Sequence, residues 1–286
     1  MMSEGVRARL TVMRYTLAEN GLHRLAFGLF ALLMFATLFG PALAPHDPLA
    51  TNPSEALIGP SAQYWFGTDQ LGRDVFSRVL VATRLDMFIA FGAVLISCVI
   101  GSLIGAALGY FGGTLDRVAS RFTDVLMAFP LFVLAMAMVA ALGNTLMNVI
   151  YATAIINLPF YIRLARAEVG VRRNLGYVEA ARVGGSGHFR ILTVFLLPNI
   201  ASPVIIQASV NLGWALLNAA GLSFLGMGVR PPTPEWGILV AEGARYIASG
   251  QWWMFLFPGL ALMLAVFTFN LLGDALRDIL DPRART

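Results

Sequence analysis

The residues whose types and spacing could do chemistry fall in three places. In Gly67-Thr68-Asp69-Gln70-Leu71-Gly72-Arg73-Asp74, two glycines flank a tight segment. There Thr68 can cap, and Asp69, Arg73 and Asp74 can form a local charge network. Exposed loop charges often only organise a turn, so a clasp is expected in preference to ligand contact. In the second place, Glu179-Ala180-Ala181 are good helix formers. Gly184-Gly185 ends that helix with a sharp turn, and Leu197-Pro198-Asn199 lies further on. In the third, Gln207, Asn211 and Asn218 share one helical face at spacings of four and seven, with Trp214 beside them. Such a face either lines a cavity or hydrogen-bonds to neighbouring helices. The three histidines, His23, His46 and His188, stand in distant segments with no second ligand at metal-binding spacing, so no metal site is expected. No G-x-S-x-G or H-E-x-x-H motif marks a catalytic centre. All 20 basic residues are arginine. Without lysine there is no G-x-x-x-x-G-K-[ST] phosphate loop, so any ATP must be bound by another chain.

These residues sit in an apolar chain. Of 286 residues, 58% are hydrophobic and only 13% charged, and the mean hydropathy is +0.73. A soluble domain carries about 25% charged residues, so lipid is the solvent that fits. Five stretches lack Asp, Glu and Arg: 25–46, 87–115, 125–162, 191–229 and 246–273. The third is long enough for two helices, with Gly143-Asn144 as the turn between them. In the fourth, Pro198 and Pro203 interrupt the start, which predicts a helix only after them. The reading is all-α, with spans near 25–44, 87–110, 122–142, 147–165, 204–225 and 252–272. With six spans, fifteen arginines fall on one side and five on the other, which predicts both termini in the cytoplasm. That topology accounts for the net charge of +4 and the pI near 9.6 without nucleic acid. Ala42-Leu43-Ala44 after an apolar run is similar to a signal-peptide cleavage site, but the run is too long for a signal and reads as an uncleaved anchor. Gly101, Gly105 and Gly109 repeat every four residues, which predicts close helix packing. No ionisable residue is expected in the middle of any span, which argues against proton or sodium coupling. Cys98 is the lone cysteine and can form no internal disulfide.

Glu179, Ala180 and Ala181 are followed after three residues by Gly185, and after nine more by Phe195, then Leu197 and Pro198. Read on physics alone, the segment 166–198 is an amphipathic helix-turn-helix at the membrane surface. The pattern also resembles the signature loop of permease subunits of bacterial ABC importers, with Phe195 where that family usually has isoleucine. Further blocks resemble its dipeptide/oligopeptide/nickel branch, C type. They are Phe66 to Asp74, Gly109-Tyr110-Phe111-Gly112-Gly113, Leu222 to Gly228, Pro231 to Gly237, Asn270 to Asp274 and Leu280-Asp281-Pro282-Arg283. The resemblance runs from about residue 20 to the end.

That resemblance implies a type I permease fold in a bacterial inner membrane. It implies a cytoplasmic segment 1–24, a first span 25–44, an external loop 45–84, a transport core 85–274 and a cytoplasmic tail 275–286. The loop around Glu179, Ala180, Ala181, Gly185, Leu197 and Pro198 would be the coupling segment that docks on an ATP-binding subunit. The partners implied are a sibling B-type permease, two ATP-binding subunits holding ATP and Mg, and an external solute-binding protein. Gln207, Asn211, Trp214 and Asn218 would line the translocation path, or else hydrogen-bond between helices. The rival class is an ATP-independent channel or ion-coupled carrier. The branch carries dipeptides, longer peptides, glutathione or nickel complexes, and a short peptide is its commonest solute.

Overall fold

The computed structural model describes residues 20–280. The segment 1–19 and the tail 281–286 lie outside the described residues, and with them Arg7, Arg9, Arg14, Arg283 and Arg285 of the arginine count. Among the described residues the chain is helical, with one isolated bridge between Thr68 and Asp74. Helix α1 (Gly21–Leu43) is capped by the Asn20 side chain, which accepts from the Leu22 N–H. Helix α2 (Val75–Phe111) is followed by α3 (Gly113–Ala128), α4 (Leu131–Leu142), α5 (Leu146–Arg172) and the short α6 (Gly176–Val183). A helical run α7 (His188–Phe224), a short α8 (Trp236–Ala244) and α9 (Trp253–Leu280) complete the chain.

Five of these helices are long and apolar enough to cross a membrane. The bent pair α3 and α4 makes six if it counts as one span. The span expected at 122–142 is therefore not one straight helix. Asp116, Arg117, Arg121 and Asp124 occupy α3, Pro130 precedes α4, and the two helices meet at 92°. Alone, the 12 residues of α4 reach only about 18 Å, short of the ~30 Å hydrocarbon layer.

Two other boundaries also move. Helix α2 starts at Val75, where loop was expected up to residue 84, because Asp74 accepts the Ser77 N–H and begins the helix. Arg78, Arg84 and Asp86 are thereby carried into the first third of this helix, ahead of the apolar stretch expected from residue 87. The helical run α7 begins at His188 and passes through Pro198 and Pro203, where a break was expected. It accommodates Pro198, which lacks an N–H, by widening to a π turn over Ile191–Leu196 and tightening to a 3-10 turn over Leu197–Ile200.

Helices α2 and α5 form the centre of the molecule. A side-chain carbon on Gly101 would lie 2.7 Å from the Tyr161 Cβ, and one on Gly109 would lie 2.5 Å from the Arg166 carbonyl. The glycine repeat thus lets the two backbones touch, which drives association where lipid is as apolar as the side chains. Around this pair, α7 and α9 bury Leu216, Ala265 and Phe269, and α4 buries Ala135 and Val139. Leu38, Leu95 and Met263 face outward, as lipid-facing side chains can.

Candidate functional site: the α6 knob and the 67–74 clasp

Helix α6 is two-faced. Val178 is fully buried beside Val169, Ile191 and Tyr110, and Ala181 packs against the same cluster. Glu179 and Ala180 face outward, and Val183 is 90% exposed. Gly184 ends the helix, and Gly185, at φ +78°, takes the left-handed turn that an L side chain resists. The Ser186 N–H returns to the Ala181 carbonyl at 3.0 Å. Phe189, just past the turn, is 80% exposed. The result is a small knob carrying one carboxylate, one methyl and two bare apolar side chains. Glu179, Ala180, Ala181 and Gly185 come together in it. Leu197 and Pro198 do not. They lie in α7, roughly 15 Å further along the helix, at the π-to-3-10 transition.

The block at 67–74 is not an exposed charge network. Asp69, Arg73 and Asp74 are each no more than 3% exposed. Asp69 accepts from Arg73 Nε at 2.6 Å and from Arg78, and it also takes the Leu71 and Arg73 backbone N–H groups. Arg73 and Arg78 reach Glu242 at 3.4 and 3.2 Å. Two arginines and two carboxylates form a neutral, largely buried set that ties the loop before α2 to α2 and α8. Thr68 does not cap a helix: its Oγ accepts from the Ile58 N–H at 2.9 Å and bonds the Glu55 carbonyl. Asp74 caps, and it faces His46 at 3.4 Å. Gly67 and Gly72 have φ near +72° and close contact with Ile58 and Asn52 backbone, so both positions exclude a side chain.

The polar face of α7 is turned inward. Asn211 and Asn218 are each 6% exposed. Gln207 donates to Asn211 Oδ1 at 2.9 Å, Asn218 donates to the Trp214 carbonyl at 2.9 Å, and the Trp214 ring packs edge-on against Phe160. Both hydrogen bonds are made within α7, and only the Trp214 ring reaches α5.

With that geometry in place, comparison with known proteins becomes specific. The profile of the family described as binding-protein-dependent transport system inner membrane component matches residues 101–286. The chain is 43% identical over 256 residues to the probable D,D-dipeptide transport system permease of Escherichia coli K12, covering 90% of this chain and 86% of that one. It is 40% identical to the dipeptide transport system permease of Alkalihalophilus pseudofirmus, over 94% and 88% of the two chains. It is 39% identical to the nickel transport system permease of Escherichia coli K12, over 96% and 99%.

The chain belongs to this family of importer permeases. It is a permease subunit of an ABC importer, with the type I permease fold, set in the membrane by several apolar helices.

Several buried groups of this permease escaped the sequence reading. Arg78, fully buried, and the partly buried Glu242 complete the clasp at 67–74. Asp86 accepts the Trp236 N–H at 3.1 Å, and the Trp236 indole donates to the Val79 carbonyl at 3.0 Å. Glu235 caps α8 by accepting from Gly237 and Ile238. Its carboxyl meets that of Asp86, and burial pushes Glu235 above the usual carboxylate range. An acidic residue just before a long apolar stretch was the available signal for Asp86. Its partner sits 150 residues away, which no local pattern shows.

Proposed function

We propose that this permease forms half of the translocation pathway for di- or oligopeptides, paired with a sibling B-type permease and served by an external solute-binding protein. Two separate ATP-binding subunits hold ATP and Mg and dock on the knob formed by α6 and the following turn. Relatives named as dipeptide and D,D-dipeptide permeases support the peptide reading. The observation that carries the docking reading is the two-faced α6. Val178 fixes it to the bundle, while Glu179, Ala180 and Val183 on this eight-residue helix, and Phe189 at the start of α7, remain open. ATP binding brings the two nucleotide-binding subunits together, the knob moves with them, and the bundle rocks between inward and outward access. The arginine bias supports a cytoplasmic side for this knob and both termini.

The test is co-purification of the tagged permease in mild detergent, beside Glu179→Arg. The wild type is expected to bring an ATP-binding subunit and a second permease, and the variant is expected to lose the ATP-binding subunit. A wild type that purifies alone and transports a labelled dipeptide in liposomes without ATPase would instead favour the channel or carrier class.

A further inference from the structure

The turn that joins α6 to α7 is weakly braced by its own residues. It contains Gly184, Gly185 and Gly187, and side-chain carbons built on Gly185 and Gly187 would meet nothing within 4 Å. Glycine also leaves the backbone free to pivot. A push on Val183 could therefore turn α6 about its Val178 anchor with little movement of α7, unless something grips both sides of the turn.

Tyr110 is that grip. It stands next to the cytoplasmic end of α2 and is 6% exposed. Its hydroxyl is 2.8 Å from Nδ1 of His188, the first residue of α7, with one of the two groups donating. The Arg182 guanidinium, from the last turn of α6, lies 5.5 Å over its ring. Phe111 sets its ring edge-on to His188 at 5.7 Å. The α2 end is itself held, because Arg173 donates to the Gly109 and Tyr110 carbonyls at 3.1 and 3.3 Å. One side chain thus contacts residues on both sides of the glycine turn and belongs to a helix of 37 residues, about 55 Å long. At its far end that helix enters the buried clasp of Asp69, Arg78 and Glu242.

We infer that Tyr110, through Arg182 and His188, is the positioning residue that transmits movement of the coupling knob into α2. The inference rests on the docking role proposed for α6. The Tyr-Phe of the Gly109-to-Gly113 block has no other assignment in the mechanism. Tyr110 touches neither solute nor nucleotide; its ring grips Arg182 and its hydroxyl grips His188, so the two contacts can be removed separately.

The experiment uses the complete importer, co-purified and reconstituted with its binding protein, and reads labelled dialanine imported per ATP hydrolysed. Tyr110→Leu is expected to lower that ratio by on the order of tenfold while the ATP-binding subunit still co-purifies. Tyr110→Phe keeps the ring and is expected to recover most of the ratio. The remaining deficit should match that of His188→Ala, and Tyr110→Phe with His188→Ala together should be no worse than either alone. A merely structural role would lower the amount of complex and leave the ratio alone. A ratio within about twofold of wild type in Tyr110→Leu overturns the inference. If Tyr110→Leu does not accumulate, Arg182→Gln and His188→Ala decide, since both side chains are exposed, and normal ratios in both overturn it. Glu179→Arg run in parallel separates the two ideas. Loss of the ATP-binding subunit there with a normal Tyr110→Leu ratio removes only the transmission role, whereas retention of that subunit removes the docking role beneath it.

Discussion

Glu235 and Asp86 show how a single carboxyl can be put to structural use in a membrane protein. Glu235 is fully buried, and two backbone N–H groups and the neighbouring carboxyl are its surroundings. Removal from water raises its proton affinity above the ordinary glutamate value of 4.5, and the two backbone bonds only partly offset this. The folded state therefore keeps on the Glu235–Asp86 carboxyl pair a proton that the unfolded chain gives up. The stability this supplies is complete below the ordinary value and is lost as pH rises through the raised folded value. The melting temperature of the detergent-solubilised permease should fall as pH is raised from mildly acidic to alkaline, and Glu235→Gln should flatten that profile. An equally steep profile in the variant would assign the pH dependence to other groups. At this scale the sequence was partly legible. Glycines at the tight turns follow from local rules, as at Gly67, Gly72 and Gly185, whereas the cap expected at Thr68 is made by Asp74. The burial of Asp69 and Arg73 did not follow, because hydrophilic residues in a loop read as exposed until Arg78 and Glu242 are brought to them.

Among the elements, a close packing partner for α2 was legible from the glycine repeat, since close backbone approach needs small residues at four-residue spacing, and the structure supplies α5 as that partner. The structure makes the requirement graded. A side-chain carbon at Gly105 would run into the Ile162 carbonyl, whereas one at Gly92 would sit in ordinary contact, 3.4 Å from Ile150. Gly105→Ala should destabilise the permease by about 1–3 kcal/mol, the usual cost of overpacking. Gly92→Ala should be neutral or mildly stabilising, since alanine is the better helix former. Thermal unfolding monitored by size-exclusion recovery would compare them, and equal losses would contradict the packing geometry. The broken span α3–α4 and the early start of α2 were hidden for related reasons. Hydropathy averages over a window, so it smooths across the break at Pro130, and it ends a helix at the first charges even when those charges have buried partners.

For the whole molecule, the arginine distribution predicts both ends on the cytoplasmic side, together with the knob at α6. Green fluorescent protein fused at either terminus should fluoresce, and alkaline phosphatase inserted in the 45–66 loop should be active. Phosphatase activity from a terminal fusion would reverse the orientation and place the knob outside, away from any cytoplasmic ATPase. The chain's membrane character, its number of long apolar stretches and its family were determined by the sequence alone. They depend on composition, on hydropathy summed over about 20 residues, and on motifs in a fixed order. Only the tertiary structure decided which polar residues belong together. Arg78 meets Glu242 across 164 residues of chain, Asp86 meets Trp236 across 150, and Tyr110 meets His188 across 78. Each pair is created by the rigid stacking of helices, a three-dimensional consequence of packing many small interfaces at once, and no local segment carries its record.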